Sequence, residues 1–563
     1  MTFQVSPGVN VSEIDNSASI APQSTSTGAF VGKFRWGPVD EIVQVVSETD
    51  LISKFSAPDL LNSVSFHTAA SFLRYSNDLR VIRAVDEDAF TANAGGDETL
   101  VVKNADDYLD ATLSFANHGL FIARYPGALG NSLSVEVFAY TTDDNTTQSA
   151  FESWDYAASF NAIPKSSPAA LEFGSENDEL HIAVIDKDGL ITGRSGSVLE
   201  IFPFVSQASG AKSDDGSSIY YVDVINERSR WVWFAGHDAT AHPEAGSAVT
   251  SGTDFSATAA LTTVDLDNGA DGGQLGTSEY LAAYALFGDA DTVDISLLIA
   301  PDLPASSETT VANNIIAYVE QRKDCVAFIS PGAGMLSASD IVTFADALNS
   351  SSYAFVDSGR LKVFDKYNDR YINIPACGAV AGLCAATDRT LGAWFSPAGT
   401  DRGQIFGVTR LYFNPNKAER DTLYKASVNP IVTFPGEGTI LFGDKTKLGR
   451  SSAFDRINVR RLFILLRKTI APAGRNVIFE LNDEFTRAQF VNLVEPFLRT
   501  IQGRRGITDF RVICDSRNNT PDVIDRNEFI GDIYIKPARS INFVQLNFVA
   551  TRTGANFNEI TGG

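Results

Sequence analysis

The sequence predicts a multidomain α+β or α/β protein: two α/β units, a β-rich acidic insertion, and extended arms at both ends. Three observations predict it. From about Asp291 onward, apolar runs alternate with amphipathic helical stretches, the pattern of a largely parallel sheet covered by helices. Between Thr91 and about Leu275 the pattern changes to short apolar runs broken by Gly, Asn, Asp and Ser, which is β-rich with long loops. The charge changes in the same place. From Thr91 to Ala300, 31 Asp and Glu stand against 8 Lys and Arg, nearly all of the chain's net charge of −24. With 563 residues the chain exceeds what one core can serve, so two to four domains are expected.

Taken in order, the first 22 residues are extended in character. Phe3, Val5, Val9 and Val11 alternate with polar residues, and Pro7-Gly8 interrupts them. Ser17 to Gly28, rich in Ser, Thr and Ala, reads as a linker. Ala29 to Val31 begins a strand, Ser63 to Tyr75 is a helix stopped by Ser76-Asn77-Asp78, and Leu79 to Val85 is a strand. After the insertion, Asp294 to Ala300 reads as a buried strand. Ser307 is placed to cap a helix carrying Val311, Ile315 and Val319 on one face. Cys325 to Ser330 is the next strand, and Ser339 is placed to cap a helix with Ile341, Phe344 and Leu348. Strands follow at Tyr353 to Asp357 and Leu361 to Asp365, and the Ala/Gly-rich run Ala376 to Ala386 suits a closely packed helix.

Beyond these, Val459, Leu462, Phe463, Leu466 and Ile470 are spaced as a buried helix face. Val477 to Leu481 reads as a strand. Asn482 then caps a long helix with Phe485, Ala488, Val491, Val494, Phe497, Leu498 and Ile501 inward and a stop at Gly503. Phe510 to Cys514, Ile533 to Ile535 and Ile541 to Ala550 read as strands, and Thr553 to Gly563 as a loose tail. No repeat of 20 to 50 residues is visible, which excludes a solenoid.

Composition excludes several classes. No run of about 18 apolar residues suggests a membrane span, and the N-terminus has neither the basic nor the apolar region of a secretory signal. Four cysteines (Cys325, Cys377, Cys384, Cys514) do not make a disulfide framework. They read as reduced, buried residues of a protein made in a cytoplasm. Ser451 to Ser540 is mildly basic, with 15 Arg and Lys against 11 Asp and Glu. No basic stripe with interleaved aromatics points to nucleic acid. The acidic block reads as a solvated, outward-facing surface.

Candidate chemistry fails in each case. The run from Gly436 to Thr446 imitates a phosphate loop, but Asp444 stands where a glycine must precede Lys445, and a carboxylate repels phosphate. Asp265, Asp267 and Asp271 hint at a calcium loop, yet the twelfth position holds Gly276 where a glutamate is required, so a polar turn is expected. His237 and His242 lack the HExxH spacing of a zinc helix and read as surface-loop residues. His67, His118 and His181 are isolated in sequence, and Cys377 and Cys384 lack a second pair for zinc. GxSxG is absent. The expectation is a non-enzyme without catalytic, metal or cofactor residues.

Five segments resemble one family, in that family's order. They are PGVNVSEID (Pro7 to Asp15), ARYPGALGNSLSV (Ala123 to Val135), CVAFISP (Cys325 to Pro331), WFSPAGTDRG (Trp394 to Gly403) and LFGDKTKLGRSSAFDRINVRRL (Leu441 to Leu462). The chain resembles contractile-tail sheath proteins, nearest to those of T4-like myophages, with a weak match between about Thr141 and Gly276. The resemblance implies a central unit of subtilisin-like topology and a C-terminal sheath domain. The expected division is an arm at 1–22, the first part of the body at 23–90, an outward-facing insertion at 91–275, the central domain at 276–440, the C-terminal domain at 441–535 and a second arm at 536–563.

The resemblance also implies the mechanism. A lone apolar strand must pair with its own sheet or a neighbour's. Sheath arms pair with neighbouring subunits, and the matching residues are Phe3, Val5, Val9, Val11 and Ile14 at one end and Ile541, Phe543, Leu546 and Phe548 at the other. Hexameric rings would stack helically round an inner tail tube, between baseplate and tail terminator proteins, and contract on a baseplate signal. Such a chain is a virion protein assembled in the host cytoplasm, with no nucleic-acid partner and no membrane insertion. Arg456, Arg460, Arg461, Arg504 and Arg505 are candidates for contact with the tube or a neighbour; the alternative is pairing within the domain with Asp455, Asp483 and Glu484. Another baseplate or virion component, or an α/β hydrolase, is the competing reading.

Overall fold

The computed structural model describes residues 24–304 and 307–542. Its centre is a six-stranded sheet in the order Ala354–Val356, Val326–Ile329, Leu297–Ile299, Gly28–Gly32, Leu79–Arg83, Ile42–Val45. The first five strands run parallel, and Ile42–Val45 closes the edge antiparallel to Leu79–Arg83. The strand Gly28–Gly32 sits in the middle, with Leu297–Ile299 on one side and Leu79–Arg83 on the other. Segments on either side of the long insertion are therefore laced into one sheet. All five residues of Gly28–Gly32 are buried, as expected for a parallel strand covered on both faces.

One face is covered by the helices Ser63–Leu73 and Cys377–Thr390, the other by Thr277–Ala285, Glu308–Arg322 and Ala338–Asp346. The Ala/Gly composition of Cys377–Thr390 has a local cause. A Cβ on Gly378 would stand 2.4 Å from the Thr68 carbonyl oxygen, and one on Gly382 would stand 2.6 Å from the Tyr75 ring. The third helix of the other face, Ala338–Asp346, is capped by Ser337, not Ser339, because the Ser337 hydroxyl accepts the Asp340 amide. Ser307 does precede Glu308–Arg322, but its side chain makes no capping bond. The stretch that imitates a phosphate loop begins as a hairpin, Ile431–Phe434 with Gly438–Leu441, whose turn needs glycine at the positive φ of Gly436 and Gly438.

The acidic stretch expected to be an insertion has a sheet of its own, antiparallel in the order Leu261–Asp265, Leu133–Ala139, Glu179–Asp186, Ser197–Ser206. It also contains helices, among them Asp144–Ser153 and Tyr221–Arg228, that the β-rich reading passed over. They are ten and eight residues long, too short to show a sustained helical period. Two cations tie the insertion to the central sheet. Arg83, fully buried, donates to the carbonyls of Phe34 (2.9 Å), Gly37 (2.7 Å) and Pro126 (2.7 Å). Burial pushes its pKa down to about 10, so it stays charged at neutral pH. Lys33 Nζ reaches the carbonyls of Gly272 (3.1 Å) and Gly273 (2.6 Å). Pro126 belongs to the ARYPGALG segment, so the motif's backbone is an anchor point of the insertion.

The histidines correct the surface-loop expectation. His237 is held by the hydroxyls of Tyr220 (3.1 Å) and Tyr221 (2.7 Å). His242 is 3% exposed, and neither ring nitrogen has a partner among the described residues. Burial lowers its pKa to about 4.

The C-terminal unit packs the helices Ile457–Arg475 and Glu484–Gly503 against a two-stranded antiparallel sheet, Ile507–Ile513 with Asp532–Pro537. Two expectations fail here. Val477 to Leu481 is a turn rather than a strand, with Phe479 fully exposed, because the first helix runs on to Arg475 and leaves no room for a strand before the Asp483 cap. The second helix buries Thr486, Phe490, Val494, Leu498 and Ile501, while Phe485 and Ala488 face outward. Val494, Leu498 and Ile501 are buried as expected, with Val491 and Phe497 packed against the same core; only the first turns differ, where Thr486 and Phe490 take the inward places.

Two outcomes follow. Arg83→Met strands three buried carbonyls, at about 1–3 kcal/mol each, so denaturant unfolding should show a loss of at least about 3 kcal/mol. His242 has a folded pKa below its unfolded value, so the unfolded chain binds the extra proton. Stability is full above about pH 6.5 and falls as the pH drops toward 4, by about 3 kcal/mol. His242→Leu should remove that part of the acid sensitivity, read as amide exchange of residues 237–248 at pH 7 and pH 4.5.

Candidate assembly interface

The N-terminal end of the described chain is fastened to the helix Ile457–Arg475, and the C-terminal end to residues packed beside the start of that helix. At the N-terminal root, the Thr25 hydroxyl donates to Asp388 Oδ2 at 2.6 Å. The Arg461 guanidinium pairs with that same carboxylate and also donates to the carbonyls of Thr25 (3.4 Å) and Cys384 (3.3 Å). Arg461 and Asp388 are both buried. Burial raises the Asp388 pKa, and the guanidinium opposes that shift. Two residues on, the Thr27 hydroxyl donates to Asp78 at 2.8 Å.

The C-terminal root is fastened to Asp444. The Ser540 hydroxyl donates to Asp444 Oδ2 (2.7 Å), and Asn542 Nδ2 donates to Asp444 Oδ1 (3.0 Å) and to the Tyr424 hydroxyl (3.1 Å). Arg456, the residue before the helix, donates to the Tyr424 hydroxyl at 2.7 Å and stands 3.4 Å from Asp444. Lys445 Nζ lies 4.0 Å over the Tyr424 ring. The residue that spoils the phosphate loop is thus the acceptor for the arm root. Sequence reasoning judged Asp444 only by the anion it would repel; the donors that need it lie about 100 residues away.

The five candidate arginines divide. Arg461 is committed to Asp388, and Arg460 is buried with its guanidinium 4.1 Å from the Tyr353 ring and 4.0 Å from Phe454, donating to Ser352 at 2.6 Å. Both guanidinium groups are buried within the chain. Of the expected internal partners, Asp455 lies 3.8 Å from Arg456, while Asp483 caps the following helix by accepting the Thr486 amide. Arg504 and Arg505 are exposed; Arg504 lies 4.9 Å over Trp394 and donates to the Leu391 carbonyl.

Of the arm residues, Phe3, Val5, Val9, Val11, Ile14, Phe543, Leu546 and Phe548 lie outside the described residues. Ile541 is 84% exposed and not in a strand. The root at Ala538 continues directly from the strand Asp532–Pro537. Each strand of that pair has one strand neighbour among the described residues, so each keeps an outer edge of unsatisfied peptide groups. A two-stranded sheet is marginal by itself, and added strands would complete it.

Burial pushes the Asp357 carboxyl up to about 7; it accepts from the Ser330 hydroxyl and the Gly359 amide. It is fully buried and meets no histidine among its hydrogen-bond partners. All four cysteines are buried, and burial pushes Cys325, Cys377 and Cys384 up to about 12, far from thiolate. Among the described residues no group of three or more metal-ligating side chains converges, and no helix is long and apolar enough to cross a membrane.

Two family models match: the phage tail sheath protein central domain over residues 273–447, and the phage tail sheath C-terminal domain over residues 450–551. The tail sheath protein of Vibrio phage KVP40 is 31% identical over 99% of this chain and 100% of its own. The tail sheath protein of Enterobacteria phage T4 is 31% identical over 99% of both chains. Among solved structures, a sheath tail protein from Desulfitobacterium hafniense aligns with a TM-score of 0.53 at 14% identity, covering 94% of this chain and all of the other. The helical sheath of the anti-feeding prophage in its contracted state aligns equally well, with a TM-score of 0.53 and 14% identity over 98% of this chain and all of the other. These two share the fold.

The two roots make separable expectations. Arg461→Met leaves Asp388 buried and unpaired and should cost about 3–5 kcal/mol in thermal or denaturant unfolding. Ser540→Ala removes one bond at the surface, about 1 kcal/mol, and should leave the unfolding midpoint within about a degree or two. It should speed amide exchange at Ile541 and Asn542 without touching the Thr25 root.

Proposed function

The chain belongs to the phage tail sheath family, and from that premise we propose that it forms hexameric rings stacked helically round an inner tail tube. It is a structural protein of a contractile tail. The observation that carries the proposal is the relationship of about 31% identity over the whole chain to tail sheath proteins. The geometry that supports it is the pair of fixed roots, Thr25 on Asp388 and Ser540 on Asp444, and a two-stranded sheet whose outer edges have no strand neighbour among the described residues. Residues 1–22 and 536–563 are the arms, and each pairs with the C-terminal sheet of a neighbouring subunit. Strand addition supplies main-chain hydrogen bonds worth about 0.5–1.5 kcal/mol each, and the alternating apolar side chains choose the register.

The division of labour follows. The central unit, 276–440 with 23–90, is the rigid body and has the subtilisin-like topology used as a scaffold. The domain at 441–535 faces the tube, and the acidic insertion at 91–275 faces solvent. A baseplate signal releases the extended array; the bodies rotate while the arms stay joined, and newly buried lateral surface lowers the free energy. Baseplate and terminator proteins bound the stack at its two ends, and the subunit assembles in the host cytoplasm. The proposed mechanism is conformational and invokes neither turnover nor a cofactor.

Electron microscopy in negative stain tests this on the full chain at high concentration, beside a variant lacking Met1 to Ile20. Rings or tubes from the full chain, lost in the truncated one, are expected. Small monodisperse particles from both, with and without an added tube, would overturn the reading.

A further inference from the structure

A cleft of about 970 Å³ separates the central unit from the C-terminal unit, and the C-terminal root from Ala538 to Asn542 forms one wall. Its character is unusual for so acidic a chain. Arg402, Lys417, Arg420, Arg505 and Arg539 line it, against the carboxylates Asp421 and Asp444. Asp444 is already engaged by Arg456 and by the arm root. None of the five cations forms an ion pair with a described carboxylate; Arg402 and Arg420 donate only to the backbone carbonyls of Ser396 and Pro415. Aromatic side chains complete the walls, with Phe442 about half exposed beside Trp394, Phe395 and Tyr424. Unpaired like charges round one concavity repel each other, and an anionic, partly apolar occupant relieves that cost.

We propose that the occupant is the acidic part of the N-terminal segment of a second copy, with Glu13 and Asp15 among the cations and Val11 and Ile14 against the aromatic walls. The inference rests on the arm-exchange reading and adds to it the device that decides which arm docks where. Main-chain pairing is blind to sequence, and both arms alternate apolar residues. They differ in charge. Residues 1–23 carry Glu13 and Asp15 with no Lys or Arg, whereas residues 543–563 carry one of each sign, Arg552 and Glu559. The cleft's cations therefore select the N-terminal arm. Ten residues separate the Thr25 root from Asp15, which gives up to about 35 Å of extended chain with which to reach a neighbour's cleft.

Disulfide trapping tests this on full-length chains, because the four native cysteines are buried and silent. Chains carrying Glu13→Cys are mixed with chains carrying Lys417→Cys, assembled, and mildly oxidised. A linked heterodimer is expected. Its yield should fall several-fold when the second chain also carries Arg420→Glu and Arg505→Glu, and recover when the first also carries Asp15→Arg. These cations are wholly or partly exposed, so the fold is retained. Tubes without the heterodimer would overturn the docking and leave the exchange reading standing. A disulfide formed only within one doubly substituted chain would assign the cleft to the chain's own arm and overturn the second-copy occupant. A yield unmoved by charge reversal would overturn the selection by charge. Neither tubes nor link would overturn both.

Discussion

The buried pair of Arg461 and Asp388 is the contact on which the rest of the architecture turns. It joins the first helix of the C-terminal unit to the helix that covers the central sheet, and the same carboxylate takes the hydroxyl of Thr25, where the described chain begins. A buried ion pair contributes little net stability compared with an apolar substitute, but removal of one partner is costly. Such a contact defines geometry more than it adds energy. Here it holds two folding units and the base of an arm in one relation.

A second node lies just before the same helix, where Arg456 meets Tyr424 and Asp444. In a sheath, subunits must stay connected while their bodies turn. Under the proposed arm exchange, the two roots would give that connection a fixed base beside a sheet with open edges, and the cations of the neighbouring cleft would add a chemical preference to main-chain pairing that is blind to sequence.

Much of the central fold was legible because its strands and helices obey simple periods. Gly28–Gly32, Leu79–Arg83, Leu297–Ile299 and Val326–Ile329 are short, wholly or mostly apolar runs, and Glu308–Arg322 shows its buried face at Val311, Ile315 and Val319. Reading failed where a local pattern had two uses. Val477 to Leu481 has strand-forming residues but no strand partner among the described residues, and it is an exposed turn. His242 looked like a loop residue among polar neighbours, yet its ring is buried. Val494, Leu498 and Ile501 were read correctly, but Phe490 was passed over in favour of Phe485 and Ala488, which the first turns leave exposed.

The sequence by itself determined the family, through five segments in one order, together with the change of charge at the insertion and the apolar alternation of the two ends. It also excluded a phosphate loop and a calcium loop, because those sites need particular residues at short spacings. Only the tertiary structure decided what the polar residues do. Arg461 meets Asp388 across 73 positions, Ser540 meets Asp444 across 96, and Arg83 meets a proline carbonyl of the insertion. Contacts of that separation leave no period in the sequence; they exist because burial forces each stranded charge and peptide group to find whatever partner the packed fold brings within reach.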